Sequence, residues 1–493
     1  MKKIIIIGAG LGGLTAGNLL VKKRHQVTIF ESHSTPGGYI AGFWRKGFYF
    51  ESGAYGLGNS NEIFKTMKDF DLSDKISFKK LEPFRYVSND FDIMPYSYQE
   101  LRNLIFKIYP DEKARLINYF KVVDRMYNTF YNLMSKTSLI KKIISALEMS
   151  FIFSRYNETK QEFAERFFEK SSVLYRLLSH FTGYPYMSAS MIGPYFWGPL
   201  NDYWTVKGGM QSWCNALAEK FTESGGDIKL KSPVDKILTK NNKVTGVTSL
   251  GNTYEADYII SACDYKKTFQ KLLDSEAVPL SLLNKLEHSS VSEGWVVVYL
   301  GLSISGSELK KIMKSTHAHC YDLSSDADSK TDDEKTQDIT FFDHCRIELY
   351  SPSLENPELA PQGKSSLMIM AISPYRWMSN WGNGDKSEYK KLKEIMCESL
   401  INRARIIIPN LYDLIEFKDA ATPLTFERYT GNSDGATCCW SWNPHKKFYK
   451  NIWSSKVKTP IKNLLIGSAW SSQVGGTAFA VKAGKLCAKI IGD

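Results

Sequence analysis

Three observations predict an α/β fold that opens on a Rossmann-type unit. Residues 4–7 are four isoleucines in a row. Gly8, Gly10 and Gly13 follow at GxGxxG spacing. A second apolar run, residues 26–30, ends on the acidic Glu31. The isoleucine run reads as a strand buried in a parallel sheet. Between the glycines and the second run, Leu14, Ala16, Leu19, Leu20 and Val21 carry a helical apolar pattern. Gly8 allows the tight turn, Gly10 lets the backbone approach a pyrophosphate, and Gly13 lets the helix pack closely on the strand. The helix N-terminus then faces the phosphates. Glu31 lies at the right sequence distance for a ribose 2′-hydroxyl, and its charge disfavours NADP there. A bare GxGxxG is a weak signal. Strand, glycines, helix, second strand and acid in that order make a strong one.

The bulk properties set limits around this unit. A chain of 493 residues is too long for one core, so two or three lobes are expected. With 43% hydrophobic and 23% charged residues the composition is that of a globular protein. The 13% aromatic content suits a large apolar cavity or simply a large core. A net charge of +11 favours an anionic partner, either nucleic acid or a membrane face. The basic residues are scattered and no zinc-finger or RNP-like motif accompanies them. Nucleic acid is therefore set aside, and a solvated lysine-rich surface is the plainer reading. Eight cysteines with no CxxC pair point to a reduced, cytoplasmic protein. The MKKIIIIGAG start is too short in its apolar run for a signal peptide. Residues 177–201 are uncharged, but Gly183, Pro185, Gly193, Pro194, Gly198 and Pro199 break them, so no transmembrane helix is expected.

Pro36, Gly37 and Gly38 form a second glycine turn just after Glu31. Gly47–Phe48–Tyr49–Phe50–Glu51–Ser52–Gly53 follows. This continuation resembles the glutathione-reductase-type FAD fold of the amine-oxidase and phytoene-desaturase superfamily, which makes FAD the expected cofactor. The superfamily's usual GGR triplet ends here in Tyr39, with Arg45 nearby. Later blocks narrow the resemblance to the phytoene desaturase, carotenoid isomerase and retinol saturase branch. Lys207–Gly208–Gly209–Met210 is similar to that branch's PKGGM, with Val206 in place of the proline. Residues 227–230, 234–238 and 244–250 read as strands, then a Gly251–Asn252 turn and an apolar run at 256–261. Ser351–Pro352–Ser353, residues 357–364 and, most specifically, residues 422–432 resemble further segments of the branch.

The resemblance implies roles. Val234 would hold the adenine through its backbone. A strand at 463–466, then Gly467, Ser468 and a glycine pair leading into a helix from about Ala478, would return to the flavin. Gly467, Ser468, Gly476, Thr477 and Ala478 thus join Gly8, Gly10, Gly13, Glu31, Gly37 and Gly38 as cofactor-binding candidates. The helix N-terminus would stabilise negative charge at the flavin N1–O2 edge. Many relatives carry Asp at the position of Ser468, and the branch's PGxGxP stands here as residues 473–478. Tyr39, Gly208, Gly209, Trp440, Trp442 and Trp470 are candidates for facing the flavin or substrate. No catalytic acid or base is named, and no metal.

The expected layout is a FAD domain built from residues 1–70, 205–285 and 420–493, with an inserted α+β substrate domain from 71–204 and 286–419. Residues 111–170 read as helical. Within 133–156, apolar residues alternate with Lys136, Lys141, Lys142 and Arg155, which suits either a membrane interface or a packed helix. Tyr184, Tyr186, Tyr195, Phe196 and Trp197 are expected to line an apolar passage. Residues 321–338 read as an exposed polar loop. His317, His319 and Cys320 hint at a metal but lack partners at useful spacing, so a loop cluster is expected. Cys438 and Cys439 read as ordinary thiols near the active site, not a redox pair or a covalent flavin tether. No second GxGxxG unit suggests an NAD(P)H domain, which leaves a quinone, oxygen or a reductase as electron partner. The expected function is desaturation, saturation or isomerisation of C–C double bonds in a long apolar isoprenoid, carotenoid-like or lipid substrate, by a cytoplasmic protein with an anionic membrane surface as candidate partner. Two rivals stand beside it: a flavin amine oxidase, and a FAD-free binding module for prenylated proteins. The intact Gly8, Gly10, Gly13 and Glu31 argue against the second.

Overall fold

The structure, a computed structural model, describes residues 1–135, 137–181, 183–325, 330, 332–450 and 454–492. Its first layer is a five-stranded parallel sheet. The order is Leu464–Ile466, Tyr258–Ser261, Lys3–Ile7, Gln26–Phe30 and Asp227–Lys229. The isoleucine strand is central and buried on both faces, as a parallel strand must be. Ile4 and Ile6 pack under three helices, Leu11–Lys22, Met210–Glu223 and Thr477–Gly492. Ile5 and Ile7 pack on the other face, against the antiparallel meander Val234–Lys240, Lys243–Ser249 and Asn252–Glu255. The turn expected at Gly251 is there, and it leads into a strand that the sequence pattern had not marked.

A seven-stranded mixed sheet forms the second layer. Its order is Ile415–Ala421, Gly294–Leu302, Ser365–Ser373, Ile347–Tyr350, His317–Cys320, Arg85–Val87 and Asp92–Ile93. One face is covered by the helix Lys386–Ala404 through Leu392, Met396 and Leu400. The other meets Phe48 and Phe50 of the hairpin Gly42–Arg45/Phe48–Glu51. A helical layer follows, with Lys113–Met134, Val173–His180 and Ile192–Asn201 around an aromatic core.

Three expectations need correction. His317 and His319 are not in a loop. They lie on a buried strand, because Ala318 and Cys320 alternate with them into the apolar core and rings receive the imidazoles. His317 sits 4.3 Å from the Tyr350 ring and 4.9 Å from that of Phe84. Residues 321–338 are not simply an exposed loop. Tyr321 and Leu323 are buried in the aromatic core and Asp332–Gln337 is helical; residues 326–329 and 331 lie outside the described residues. Phe196 and Trp197 line no passage, because their helix turns them into that same core.

The stretch 133–156 contains the helix Leu139–Ser154; Lys136 lies outside the described residues. It rests on the helix Lys113–Met134 by a narrow strip, with Ser145 and Ile152 buried and Glu148 bonded to Arg125 and Thr129. Its opposite face meets solvent.

The tightest constraint joins the two ends of the chain. A Cβ on Gly12 would stand 2.0 Å from the Gly467 carbonyl oxygen, and one on Gly484 would stand 2.4 Å from that of Gly12. The first and last helices therefore touch backbone to backbone. Gly12→Ala is expected to cost about 1–3 kcal/mol or more through overpacking. Gly198→Ala, where a Cβ meets nothing within 4 Å, is the control and should leave stability at or above wild type. Thermal melts of the two variants check this.

Candidate active site

The glycine turn is assembled as its spacing demands. Gly8 has φ +102° and donates its N–H to the Phe30 carbonyl at 2.8 Å. Gly13 presses on that turn, since a Cβ there would lie 2.2 Å from the Gly8 oxygen. Glu31, 7% exposed, accepts the Ala9 N–H at 2.7 Å on one oxygen and the His33 N–H at 2.9 Å on the other. Its carboxylate thus ties the first turn to the end of the second strand. Gly37, φ +139°, donates its N–H to the Ala9 carbonyl at 3.0 Å, so the second glycine turn docks on the first. Ser232 and Lys231 donate to the carbonyls of Glu31 and His33, which brings the Val234 strand alongside.

From the C-terminal side, Gly467 donates to Ser261 at 2.8 Å and the Ser468 hydroxyl donates to the Cys263 carbonyl at 3.0 Å. Gly476 (φ +84°), with Thr477 and Ala478, opens the last helix. Three glycines border unfilled space. Cβ atoms on Gly10 and Gly476 would meet nothing within 4 Å, and one on Gly38 would meet only the Gly10 Cα, at 3.5 Å. The first turn of the helix Leu11–Lys22 adds backbone N–H groups without intrahelical partners. A cradle of bare backbone at a helix N-terminus fits the pyrophosphate of a dinucleotide, and the buried carboxylate beside it fits a ribose.

Gly208 and Gly209 have φ +83° and +87° and lead into the helix Met210–Glu223. Gly209 packs on the Tyr49 ring, where a Cβ would come within 2.4 Å. The helix is capped by Glu51, fully buried, which accepts the Met210 N–H at 3.0 Å and the Tyr49 hydroxyl at 2.9 Å. Burial pushes the Glu51 carboxyl up to about 8 against the pull of those two bonds. In the sequence Glu51 is one residue of the Gly47–Gly53 segment. A lone acid inside the run FYFE was the available signal.

Beyond the cradle stands a group of aromatic side chains. Tyr39 stacks on Phe426 at 5.7 Å. Trp442 donates its indole N–H to the Val474 carbonyl at 2.9 Å, just ahead of Gly475–Gly476. Its ring meets Tyr184 at 5.2 Å and Tyr195 at 5.9 Å. Tyr184 lies parallel to Tyr186, whose hydroxyl bonds to Glu293. Trp440 and Trp470, expected to face flavin or substrate, do not. They are 0% and 2% exposed, because Trp440 stacks on Phe448 at 3.8 Å and the two indole N–H groups are spent on the Trp470 carbonyl and Asn432. Burial pushes the Cys438 thiol up to about 12 and raises that of Cys439 as well, so both are held as thiols. Burial also pulls His319 down to about 4, and no group of three metal ligands occurs among the described residues.

Fold and cradle together define a FAD-binding oxidoreductase. The profile of the flavin containing amine oxidoreductases matches residues 11–291, and the chain belongs to that family. It is 25% identical to 4,4'-diapophytoene desaturase of Methylomonas sp over 91% of this chain and 88% of that one. It is 22% identical to all-trans-retinol 13,14-reductase of Danio rerio, over 99% and 85%. It is 24% identical to the chloroplastic prolycopene isomerase of Daucus carota, over 87% and 71%. Among solved structures, an oxidoreductase from Methanosarcina mazei superposes with a TM-score of 0.65 at 16% identity, over 98% of this chain and 100% of that one. The last likeness shows the fold alone.

Two outcomes are expected. Gly10 has φ −75° and free space in front of it, so Gly10→Val should fold and melt like FAD-stripped wild type yet hold no FAD. Flavin absorbance of the purified variant checks it. Glu51 is a pH-sensitive group. Its folded value, about 8, lies above the ordinary 4.5. The neutral acid therefore supports the fold fully below about pH 4.5, and that support is lost as pH rises through about 8. Glu51→Gln, which keeps an acceptor for Met210, should flatten the fall in stability across this window, a difference on the order of a few kcal/mol. Denaturant titrations at several pH values measure it.

Proposed function

We propose that the protein desaturates, saturates or isomerises C–C double bonds in a long apolar isoprenoid, carotenoid-like or lipid substrate. The observation that carries this reading is the set of sequence relatives. By name one introduces a double bond, one reduces one and one isomerises one, and the matches span 71–88% of the relatives' own lengths. The aromatic walls support it. Tyr184, Tyr186, Tyr195 and Trp442 offer flat faces on which a polyene can lie, and rings are good packers of such surfaces.

In this reading Gly8, Gly10, Gly13, Glu31, Gly37, Gly38, Val234, Gly467, Ser468, Gly476, Thr477 and Ala478 hold the FAD. Residues 1–70, 205–285 and 420–493 form the FAD domain, and 71–204 with 286–419 the substrate domain. The sheets support the division, since all five parallel strands come from the first set. When bound, FAD supplies the two-electron donor or acceptor. The chain orients the substrate and keeps water from it. A quinone, oxygen or a reductase exchanges the electrons. The +11 charge favours work at an anionic membrane face, reached peripherally, and among the described residues no helix is long and apolar enough to cross a membrane.

The test is anaerobic photoreduction of the flavin followed by a panel of isoprenoids, unsaturated fatty acids and primary amines. Flavin reoxidation or product formation with polyenes is expected. Turnover of amines alone, with polyenes inert in both redox states, would overturn the proposal.

A further inference from the structure

The helix Leu139–Ser154 is built to be covered by something. Leu139 and Leu147 are each 73% exposed, Ile140 70%, and Ile143 and Ile144 each 53%. Ile140, Ile143, Ile144 and Leu147 follow i, i+3, i+4, i+7, so they form one stripe. That stripe faces away from the helix Lys113–Met134, on which the strip with Ser145 and Ile152 rests. Isolated exposed leucines are ordinary, but five branched aliphatics exposed within about two and a half turns are not. The charges around them have one sign. Lys141 is exposed and Lys142 half-buried beside the stripe, and the helix's one acid, Glu148, is paired with Arg125 at 3.3 Å. An apolar stripe edged by lysines is complementary to acyl chains beneath anionic headgroups.

The helix also ends at an opening. Tyr156, two residues beyond its last turn, lines a cleft with Met187, Met191, Trp442, Pro444 and Val474. These six are apolar or aromatic, with Ser188, Ser441, Asn443 and Gln473 between them, and the two methionines are adaptable walls. Lys447 sits at the cleft, with its ammonium 4.6 Å above the Tyr156 ring. On its wall, Trp442 donates its indole N–H to the Val474 carbonyl, one residue before the glycine pair that opens the last helix. The cleft therefore lies between the foot of the apolar helix and the segment that leads into the last helix.

Resting on the reading that the substrate is a long apolar molecule, we infer that Leu139–Ser154 is a lipid-docking helix and that the Tyr156–Met191–Trp442–Val474 cleft is the portal through which a hydrocarbon chain passes from an anionic bilayer toward the flavin. The helix lies in the interface with its stripe among the acyl chains. Lys141 and Lys142 reach the headgroups, and the cleft mouth faces the membrane.

Flotation of the FAD-loaded protein tests the docking element without any appeal to catalysis. Wild type should float with phosphatidylcholine vesicles containing phosphatidylglycerol at low salt, and less at high salt. Ile143→Asp with Leu147→Asp should lower the floated fraction about tenfold or more. Flavin content and melting should hold, because both side chains meet solvent. Lys141→Glu with Lys142→Glu should lower flotation less and remove most of its salt dependence. For the portal, the protein is incubated with vesicles carrying lycopene and passed over a sizing column. Met191→Trp should float like wild type but carry less lycopene through. Wild type that stays at the bottom of the gradient, or an aspartate double variant that floats equally well, overturns the docking helix. Equal lycopene retention by Met191→Trp overturns the portal. Polyene turnover, assayed separately in detergent, judges the catalytic reading, so flotation alongside inert polyenes would remove that reading and leave the docking helix standing.

Discussion

The contact on which the rest of the molecule depends is the backbone-to-backbone approach of its first and last helices. Gly12, Gly467 and Gly484 leave no room for a side chain between segments more than 450 residues apart. This closeness puts Gly476, at the start of the last helix, within the same structure as Gly10 and Gly38. Gly10 and Gly38 lie side by side, and all three have open space where a side chain would stand. In the proposed FAD assignment both segments serve one ligand, so neither can be shaped alone. Everything inserted between the two helices in sequence must return the chain to this contact. The parallel sheet does so by adding Leu464–Ile466 beside Tyr258–Ser261, register to register with the isoleucine strand one place further in.

The second organising element is the short strand Phe48–Glu51. Phe48 and Phe50 point to the seven-stranded sheet, where Gly301 makes room for the Phe48 ring. Tyr49 and Glu51 point to the start of the helix Met210–Glu223. Four residues thereby couple the two layers. Their alternation explains why an acid is tolerated in so apolar a place. Glu51 is on the face where a helix N-terminus offers its N–H groups, which is where a carboxyl is most useful as a cap. That its pKa is still raised shows that desolvation outweighs the cap.

How much of this was legible in the sequence follows from what kind of requirement each feature expresses. Gly8, Gly13, Gly37 and Gly476 answer local backbone demands, a positive φ or a close approach within a few residues, and local demands leave local patterns. Gly12 and Gly484 answer to each other across the chain, and nothing near either one announces the partner. Trp440 and Trp470 were misplaced for a related reason. An indole near a glycine motif is equally suited to lining a site or bracing it from behind, and Phe448, which belongs to no motif, decides the matter. His317 and His319 hid a strand because their polarity masks the alternation, and rings from three other segments make that polarity tolerable. The helix Leu139–Ser154 shows the limit from the other side. Periodicity announces an apolar stripe, but whether another segment covers it is a tertiary fact.

The placement of polar and apolar groups around the cradle also bears on how one scaffold can accommodate several double-bond chemistries. The strongly constrained parts, the glycine turns and the helix crossing, belong to the proposed FAD domain. The side chains at the far end of that space come from three separate segments: Tyr184, Tyr186 and Tyr195 from the helical layer, Glu293 from the start of a sheet strand, and Trp442 from the loop that precedes the last strand. None of these segments carries the contact between the chain ends. Substitutions there alter the wall without loosening the cradle, whereas a side chain at Gly12 would disturb the fold before it touched the chemistry. Redox power is thus confined to a rigid backbone site. What the flavin acts on is left to side chains free to change, which is the physical reason that the cofactor could be read from motifs while the substrate had to be argued from surfaces.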